Sequence, residues 1–353
     1  MKVVYITNRG GTHPNRIKYF DSIGADYQFV DFRIRWHGVT ASKWRMIISG
    51  IVCALTFPNR KLYKLFVASD PQLPIALMRI LGLIRRDQKV GAYLGSQTLF
   101  FIYDNRFSVF TRIFYKFLLR TYDFYICNGP MQAELLRRTI NPPDFKIFTN
   151  VNGISESKRK ALDKIQFNPH SREIVFVGNL YSDWRLHYKG VDLLLSTFSK
   201  VCAQYDLQLT LVGSFDEALH RLIESIVPSE YHGRIRIAGE AKKPEFFLEN
   251  ALVYVHCSRG DALPNSLLEA MASGIPVIIS EWTGWNDLVA AIDNNLVSKM
   301  TSESLLQSLE YYLRLSDQQK VDLSFRFREI TVEYTELHAI NTFNDVINEI
   351  QKL

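Results

Sequence analysis

Two carboxylates in the second half of the chain are spaced so that both can contact one extended ligand. Asp261 lies in a loop after an apolar run, and Glu269 lies eight positions later, inside a predicted helix that begins after Pro264. Because one belongs to the loop and the other to the helix, they do not share a helix face. We expect Glu269 to accept hydrogen bonds from ligand hydroxyls. The alternative is a helix-capping Asp261 and an exposed Glu269 without a ligand.

The start of the same helix predicts an anion site. The backbone amides of Asn265, Ser266 and Leu267 lie in the first turn, where an α-helix has no carbonyl partner for them. Gly274 follows the helix as a left-handed cap, and Pro276 stands just beyond it. The helix dipole adds positive potential at this end, so the segment suits a diphosphate group.

The segment Ser258–Val277, which reads SRGDALPNSLLEAMASGIPV, carries a specific signature. It resembles the E-x7-E motif of glycosyltransferase family 4, the group 1 transferases, in the form E-G-F-P-N-x-L-L-E-A-M-A-x-G-x-P-V. Asp261 and Ala262 stand where the family has Glu-Gly. The segment Ser280–Leu288 resembles the family's following G-G-x-x-E/D-L-V loop, with Trp285 in place of the second Gly. The resemblance is firm in this region and looser over the first half of the chain.

A second element of the same family concerns a donor diphosphate. The family has Gly-Arg after a strand and Lys-Gly at the start of the next helix. Here Gly178 ends a predicted strand and Lys189-Gly190 opens a predicted helix. Asn179 occupies the Arg position, and Arg185 in the intervening loop is the candidate for the missing charge. The resemblance implies that Lys189, together with Arg185, stabilises a leaving nucleotide diphosphate.

The resemblance implies a retaining glycosyltransferase that works, as a rule, without a metal and without a resident cofactor. Its donor, a nucleotide sugar such as a UDP- or GDP-sugar, would place the diphosphate on the helix start at Asn265–Leu267. Asp261 would hold the sugar hydroxyls, Lys189 the leaving group and Glu269 the ribose, so these three are the predicted catalytic residues. Aspartate is one methylene shorter than the family's glutamate, which predicts either an altered sugar preference or a weaker enzyme.

The first half of the chain carries less specific signals. Gly10 and Gly11 follow the first predicted strand and resemble the family's glycine-rich loop, which lets the N-terminal domain approach the donor phosphates. Tight-turn geometry explains the same pair. Family members often carry a histidine near the donor sugar, but the corresponding segment Leu94–Tyr103 contains none. Gln97 or His13 is the candidate to take the place of that histidine.

Short β-rich runs alternate with helical patterns through both halves of the chain, which is typical of βαβ units around parallel sheets. The predicted strands are Lys2–Thr7, Tyr27–Phe32, Leu65–Ser69, Val90–Leu94, Asp123–Cys127 and Lys146–Val151, then Glu173–Val177, Leu207–Val212, Arg234–Ala238, Leu252–Cys257 and Pro276–Ser280. From Ser302 onward the pattern is helical.

This alternation predicts an α/β protein with two Rossmann-like, doubly wound domains that face each other across a cleft, which the resemblance identifies as the GT-B fold. The predicted limits are an acceptor-binding domain at 1–165 and a nucleotide-sugar-binding domain at 166–333. The remaining helix, 334–353, is expected to pack back on the N-terminal domain. In such sheets ligands bind at the carboxyl ends of strands.

Charge is distributed unevenly. Residues 1–165 contain 26 Lys and Arg against 11 Asp and Glu, whereas residues 166–353 contain 16 against 25. A basic half of this kind indicates an anionic partner. No nucleic-acid recognition motif accompanies the charge, so nucleic acid is not expected.

The segment 43–66 is apolar, with Lys and Arg at both edges. It is too short to span a bilayer, so it predicts either a monotopic anchor in the membrane interface or a buried helix with solvated ends. Basic residues at helical spacing follow at Arg112, Lys116 and Arg120. If the segment contacts a membrane, the acceptor is a lipid-linked glycan or a glycolipid, and the protein lies on the cytoplasmic face.

The four cysteines are scattered without a CxxC pair, which argues against a disulfide framework or a structural zinc site and fits a cytoplasmic protein. The N-terminus reads as a strand and not as a signal peptide. Two other functions stay open: another GT-B enzyme such as a nucleotide-sugar epimerase, and a degraded, non-catalytic sugar-nucleotide-binding protein. A dehydrogenase is disfavoured because the GxGxxG fingerprint is absent.

Overall fold

The computed structural model describes residues 2–7, 14–29, 43–241 and 243–353. The chain divides into two compact units. Unit 1 comprises Met1–Asn152 and Leu337–Leu353, and unit 2 comprises Gly153–Glu336. This division assigns residues 153–165 to unit 2, whereas the sequence pattern predicts a limit after residue 165.

The described residues of unit 1 contain a six-stranded parallel sheet with the strand order β2-β1-β3-β4-β5-β6. The strands are β1 (Val3–Thr7), β2 (Asp26–Phe29), β3 (Leu65–Ser69), β4 (Lys89–Leu94), β5 (Phe124–Asn128) and β6 (Ile147–Asn150). The helices are α1 (Pro14–Ser22), α2 (Lys43–Thr56), α3 (Leu73–Ile80), α4 (Thr98–Tyr103), α5 (Val109–Arg120) and α6 (Pro130–Ile140). The central strands are β-branched and aromatic and are buried along their length, as expected for a parallel sheet covered by helices.

The segment 43–66 does not form a single element. It contains α2, a 3₁₀ turn at Arg60–Leu62 and the first residues of β3. Leu65 and Phe66 are buried in the sheet, so the apolar residues at the end of this run belong to the core and cannot contact a membrane. Among the described residues, no helix has the length and apolarity needed to cross a bilayer.

Unit 2, over its described residues, repeats the architecture with the strand order β12-β11-β10-β7-β8-β9. Its strands are β7 (Glu173–Val177), β8 (Gln208–Val212), β9 (Ile235–Gly239), β10 (Ala251–His256), β11 (Val277–Ser280) and β12 (Val297–Ser298). Its helices are α7 (Glu156–Leu162), α8 (Asp183–Tyr188), α9 (Val191–Val201), α10 (Glu217–Ile226), α11 (Asn265–Ala272), α12 (Asn286–Ile292), α13 (Ser302–Arg314) and α14 (Asp317–Ile330). Every residue of β10 is buried, so this strand lies at the centre of the sheet and carries the loop that contains Asp261.

The last helix, α15 (Glu336–Ile350), packs into the core of unit 1. Phe343 lies against α1, with 5.0 Å between its ring centroid and that of Phe20. Ile347 and Ile350 extend the same buried face. Burying a side chain of this size contributes about 1.5–3 kcal/mol, so three of them hold the end of the chain firmly to unit 1.

The predicted strands are confirmed in both units, with ends that shift by one or two residues. Leu65–Ser69 and Glu173–Val177 coincide residue for residue with β3 and β7. The end of the predicted strand Tyr27–Phe32 lies outside the described residues, and its described part is β2. The short strand β12 was not predicted, because two residues carry no measurable period.

Candidate functional site

Lys189 and Asp261 form an ion pair in unit 2. Lys189 follows α8, and Asp261 lies in the loop after β10. Lys189 Nζ lies 2.5 Å from Asp261 Oδ2, and both side chains are largely buried. Burial by itself raises the pKa of Asp261, but Lys189 and His256 overcome it and hold that pKa well below the ordinary range. Asp261 is therefore an ionised acceptor at neutral pH.

The start of α9 sets the position of Lys189. Gly190 has a φ of 70°, in the left-handed region that favours glycine. A Cβ at this position would also overlap the backbone carbonyl of Cys257, at the end of β10. The Lys-Gly pair is thus needed for α9 to start directly against β10, which brings Lys189 to the loop of Asp261.

A second ion pair fixes the other side of this loop. Both terminal nitrogens of Arg259 donate to the carboxylate of Asp192 in the first turn of α9, each at 2.7 Å. Two parallel hydrogen bonds of this kind fix the orientation of the guanidinium group relative to the carboxylate. The Arg259 amide also donates to the carbonyl of Tyr188 at 2.8 Å. The Arg259–Asp192 pair therefore clamps the loop of Asp261 to the segment of Lys189.

His256 joins Asp261 to the start of α11. It is buried at the end of β10, and its Nε2 lies 3.2 Å from Asp261 Oδ2. Burial lowers the pKa of His256, so the ring is neutral at pH 7, and the ionised Asp261 requires the proton on Nε2. On the other side, Nδ1 lies 3.4 Å from the hydroxyl of Tyr254, which donates to Ser266 Oγ at 2.8 Å.

The start of α11 has the geometry expected of an anion site. Pro264 precedes the helix and provides no side-chain cap for the first amides. Ser266 Oγ accepts from Tyr254, and Leu267 is buried, so Asn265–Leu267 form a fixed turn. At the other end Gly274 has a φ of 78°, which confirms the predicted left-handed cap.

Glu269 lies in α11 with only 19% of its side chain exposed, so it is not an exposed surface glutamate. Lys158 of α7 lies between two carboxylates, 3.4 Å from Glu269 and 3.0 Å from Glu245. Burial raises the pKa of Glu269, although Lys158 opposes the shift. Glu269 is therefore held near α7 by a cation shared with a second acid, and its ion-pair partner is Lys158, whereas Asp261 pairs with Lys189.

Arg185, the predicted second positive charge of the site, lies against aromatic rings, whereas Lys189 lies in an ion pair. Arg185 lies in α8, with its guanidinium carbon 4.8 Å from the ring centroid of Tyr181 and 5.5 Å from that of Trp184. Within the described part of the chain its Nε is buried and has no hydrogen-bond partner. Asn179 accepts a hydrogen bond from Ser214 at 3.1 Å, so it holds the loop after β8. A charge-stabilising role for Arg185 stays a prediction.

Of the residues of unit 1 that were predicted to contribute to the site, only some lie in the described part of the chain. Gly10, Gly11 and His13 lie outside the described residues. Gln97 precedes α4, next to the Ser96 and Thr98 hydroxyls that lie 2.8 Å apart. No cluster of three or more His, Cys, Asp or Glu suited to a metal occurs in residues 2–7, 14–29, 43–241 and 243–353.

Four residues of this site were not predicted from the sequence: His256, Lys158, Arg259 and Asp192. His256 stands at the end of a buried apolar strand. A single polar residue there shows no periodic pattern, so the sequence alone does not assign it a role. Lys158 lies in α7, and its partner Glu269 is 111 positions away, so no local pattern connects the two residues. The Arg259–Asp192 pair joins the loop after β10 to the first turn of α9, and only the fold brings these two segments together.

The predicted catalytic residues of the candidate site fall within a segment that matches a known family. Residues 171–314, which contain Lys189, Asp261 and Glu269, match the family described as glycosyl transferases group 1. The matched segment begins just before β7 and ends with α13, so it contains the whole sheet of unit 2.

Two curated relatives bear the description uncharacterized glycosyltransferase. The protein from Haemophilus influenzae is 26% identical over 163 residues, which is 43% of this chain and 44% of the relative. The protein from Methanocaldococcus jannaschii is 21% identical over 216 residues, which is 59% of this chain and 52% of the relative. The chain thus spans about half the length of the curated relatives it matches.

Solved structures share the fold over almost the entire chain. Sucrose-phosphate synthase from Thermosynechococcus elongatus matches with a TM-score of 0.72 at 16% identity and covers 99% of both chains. Alr3699/HepE from Anabaena, solved in complex with UDP-glucose, matches with a TM-score of 0.71 at 14% identity and also covers 99% of both. These likenesses confirm the predicted fold class, with two Rossmann-like units of the GT-B type.

Proposed function

We propose that the protein is a retaining glycosyltransferase that moves a sugar from a nucleotide-diphosphate sugar to an acceptor hydroxyl. The observation that carries the proposal is the Lys189–Asp261 pair, which lies within the matched segment beside the start of α11. It combines a buried cation, an ionised carboxylate and a helix N-terminus, which are the groups needed to receive a diphosphate and a sugar.

In the proposed reaction the bond between the anomeric carbon and the diphosphate oxygen breaks, and its electron pair leaves with the nucleotide diphosphate. A new bond forms between that carbon and the acceptor oxygen, whose proton is released. Lys189 and the first turn of α11 would stabilise the negative charge on the leaving diphosphate, and preorganised groups of this kind contribute several kcal/mol. Asp261 would accept hydrogen bonds from the sugar hydroxyls and align the anomeric carbon.

Glu269 is proposed to accept hydrogen bonds from the ribose of the donor. Lys158 keeps this carboxylate oriented while it is buried, and Glu245 shares the charge of Lys158. A ribose diol would provide two donors to a carboxylate whose burial already disfavours the charged form. We therefore expect donor binding to relieve an electrostatic cost at Glu269.

The donor and acceptor classes are proposals as well. Alr3699/HepE was solved with UDP-glucose, so UDP-sugars are the first donors to test, followed by GDP-sugars. The basic first half of the chain favours an anionic or lipid-linked glycan as acceptor, with the protein at the cytoplasmic face of a membrane. A glycolipid or a growing polysaccharide would provide such a hydroxyl.

A second candidate function is a non-catalytic sugar-nucleotide-binding protein. Asp261 Oδ2 already accepts from both Lys189 and His256, which is the arrangement expected if Asp261 is merely a structural counter-ion. Asp261→Glu separates the two functions, because a longer carboxylate restores the family residue. If neither form turns over any donor in the presence of acceptors, the binding protein is favoured.

The decisive experiment incubates the purified protein with UDP-, GDP-, ADP- and dTDP-sugars and a mixture of polyprenyl-diphosphate glycans and glycolipids. A glycosyltransferase releases nucleotide diphosphate in step with a glycosylated acceptor, and the product keeps the anomeric configuration of the donor, which NMR coupling constants report. Turnover should persist in EDTA. Release of free nucleotide diphosphate without a glycosylated product would favour an epimerase.

A further inference from the structure

Helix α5 presents a continuous apolar stripe to solvent. Phe110, Ile113, Phe114 and Phe117 follow the spacing i, i+3, i+4, i+7, which aligns side chains along one helix face. All four are exposed, Phe110 by 85% and Phe117 by 51%. Single exposed apolar residues are ordinary, but an aligned aromatic stripe marks an interaction surface.

The other side of α5 is anchored, so the stripe cannot turn inward. Tyr115, Leu118 and Leu119 are buried in unit 1. Tyr115 stacks on Phe107 with 5.5 Å between the ring centroids. Ser108 caps the helix by accepting a hydrogen bond from the amide of Thr111. The helix therefore has one apolar face for the core and a second apolar face for a partner.

Helix α2 carries a stripe with the same spacing. Its exposed residues are Ile48, Ile51, Val52 and Leu55. The inward side is small: Ala54 is buried, and a Cβ at Gly50 would contact Leu73 of α3. The helices α2 and α5 are thus held in unit 1 by one side and expose aliphatic or aromatic rows on the other.

The segment of the chain that contains both stripes has a strongly positive composition. Residues 43–120 contain 13 lysines and arginines against three aspartates. Two of those aspartates are neutralised locally, since Asp87 pairs with Lys64 and Asp104 with Arg106. In α5 itself Arg112, Lys116 and Arg120 accompany the apolar stripe, and the helix contains no acidic residue.

We propose that the stripes of α2 and α5 bind an anionic lipid bilayer, with each helix lying in the plane of the headgroups. Phenylalanine and leucine enter the acyl boundary, while the flanking lysines and arginines extend toward lipid phosphates. The one-sided positive charge favours a lipid surface over a protein partner, which would present mixed charges. This proposal deepens the membrane association proposed above, and it does not depend on the donor site of unit 2.

The test is cosedimentation of the full chain with vesicles. Phosphatidylcholine vesicles with 30% phosphatidylglycerol are compared with pure phosphatidylcholine vesicles at about 0.1 M salt, where charges still act over roughly 10 Å. We expect binding to the anionic vesicles that weakens as salt rises. Phe110→Ser with Phe117→Ser should lower the partition coefficient about tenfold or more, because two interfacial anchors are lost. Phe325→Ser is the matched control: Phe325 is 67% exposed, on α14 of unit 2, and its loss should change nothing.

Three outcomes would overturn the proposal. The first is no binding of the wild-type chain to anionic vesicles, and the second is equal binding by the double variant. The third is a wild-type dimer, seen by light scattering, that the double variant converts to a monomer, which would assign the surface to a second copy. Thermal stabilisation by a nucleotide sugar, measured on the same double variant, reports unit 2 separately. A failure at the membrane is therefore distinguishable from a failure of the proposed function.

Discussion

The two units share one architecture but differ in which side chains they bury and which they expose. In unit 2 the charged groups of the candidate site are largely buried and form ion pairs, as in Lys189–Asp261 and Arg259–Asp192. In unit 1 large apolar side chains of α2 and α5 are exposed, on helices that contain no acidic residue. The first arrangement is typical of a site built for a small charged ligand and the second of a site built for an extended surface.

Removing the positive charge of Lys189 should have the largest effect on turnover. Lys189→Ala deletes the group proposed to stabilise the leaving diphosphate, and losing one such donor typically costs about 10²–10³-fold in turnover. The measurement is nucleotide diphosphate release with donor and acceptor. Lys200→Ala, an exposed lysine of α9, is the control and should retain activity. Comparable turnover by Lys189→Ala would remove Lys189 from the chemistry.

A pair of glycines tests the difference in packing between the units. Gly190 and Gly24 both have left-handed φ angles, 70° and 61°. An alanine at Gly24 has nothing within 4 Å, so it should cost only the conformational strain of about 1–2 kcal/mol. An alanine at Gly190 collides with the Cys257 backbone as well and should cost about 3 kcal/mol or more. Urea unfolding measures both, and equal losses would show that α9 does not need its close approach to β10.

The Lys189–Asp261 pair also predicts a pH dependence. The folded-state pKa of Asp261 is depressed, so its stabilising contribution is present above the unfolded pKa of about 3.9 and is lost as pH falls below it. Asp261→Asn leaves Lys189 partly buried without its counter-ion, which should cost about 1–3 kcal/mol at pH 7. The difference in melting temperature between wild type and variant should shrink toward pH 3. A difference that stays constant with pH would contradict the ion pair.

The smallest and most diagnostic effect concerns Glu269. Its folded-state pKa is raised, so the ionised form opposes folding above the unfolded pKa. Glu269→Gln removes that cost, and Lys158 retains Glu245 as its partner. We expect an unchanged or higher melting temperature together with donor binding weakened about tenfold, the typical effect of losing a hydrogen bond to a charged group. Calorimetric titration of the donor tests binding, and a variant that is less stable but binds normally would make Glu269 a structural residue.

Local sequence patterns predicted the elements better than the contacts between them. The strands of both sheets, the cap at Gly274 and the Lys-Gly start of α9 follow from residue type and period. The Lys158–Glu269 contact does not, because it joins residues that only the tertiary fold brings together. The outward stripe of α5 was also hidden, since α5 is apolar on two faces and periodicity cannot show which face is covered.

Thermal stabilisation of the purified protein by UDP-, GDP-, ADP- and dTDP-sugars reports directly on a donor site at the Lys189–Asp261 pair. A ligand at about a hundred times its dissociation constant adds roughly 2.7 kcal/mol of stability. We predict that one nucleotide class raises the melting temperature of the wild type and of Lys200→Ala but not that of Lys189→Ala. Stabilisation that persists in Lys189→Ala, or its absence with every nucleotide sugar, would contradict a donor site at the Lys189–Asp261 pair.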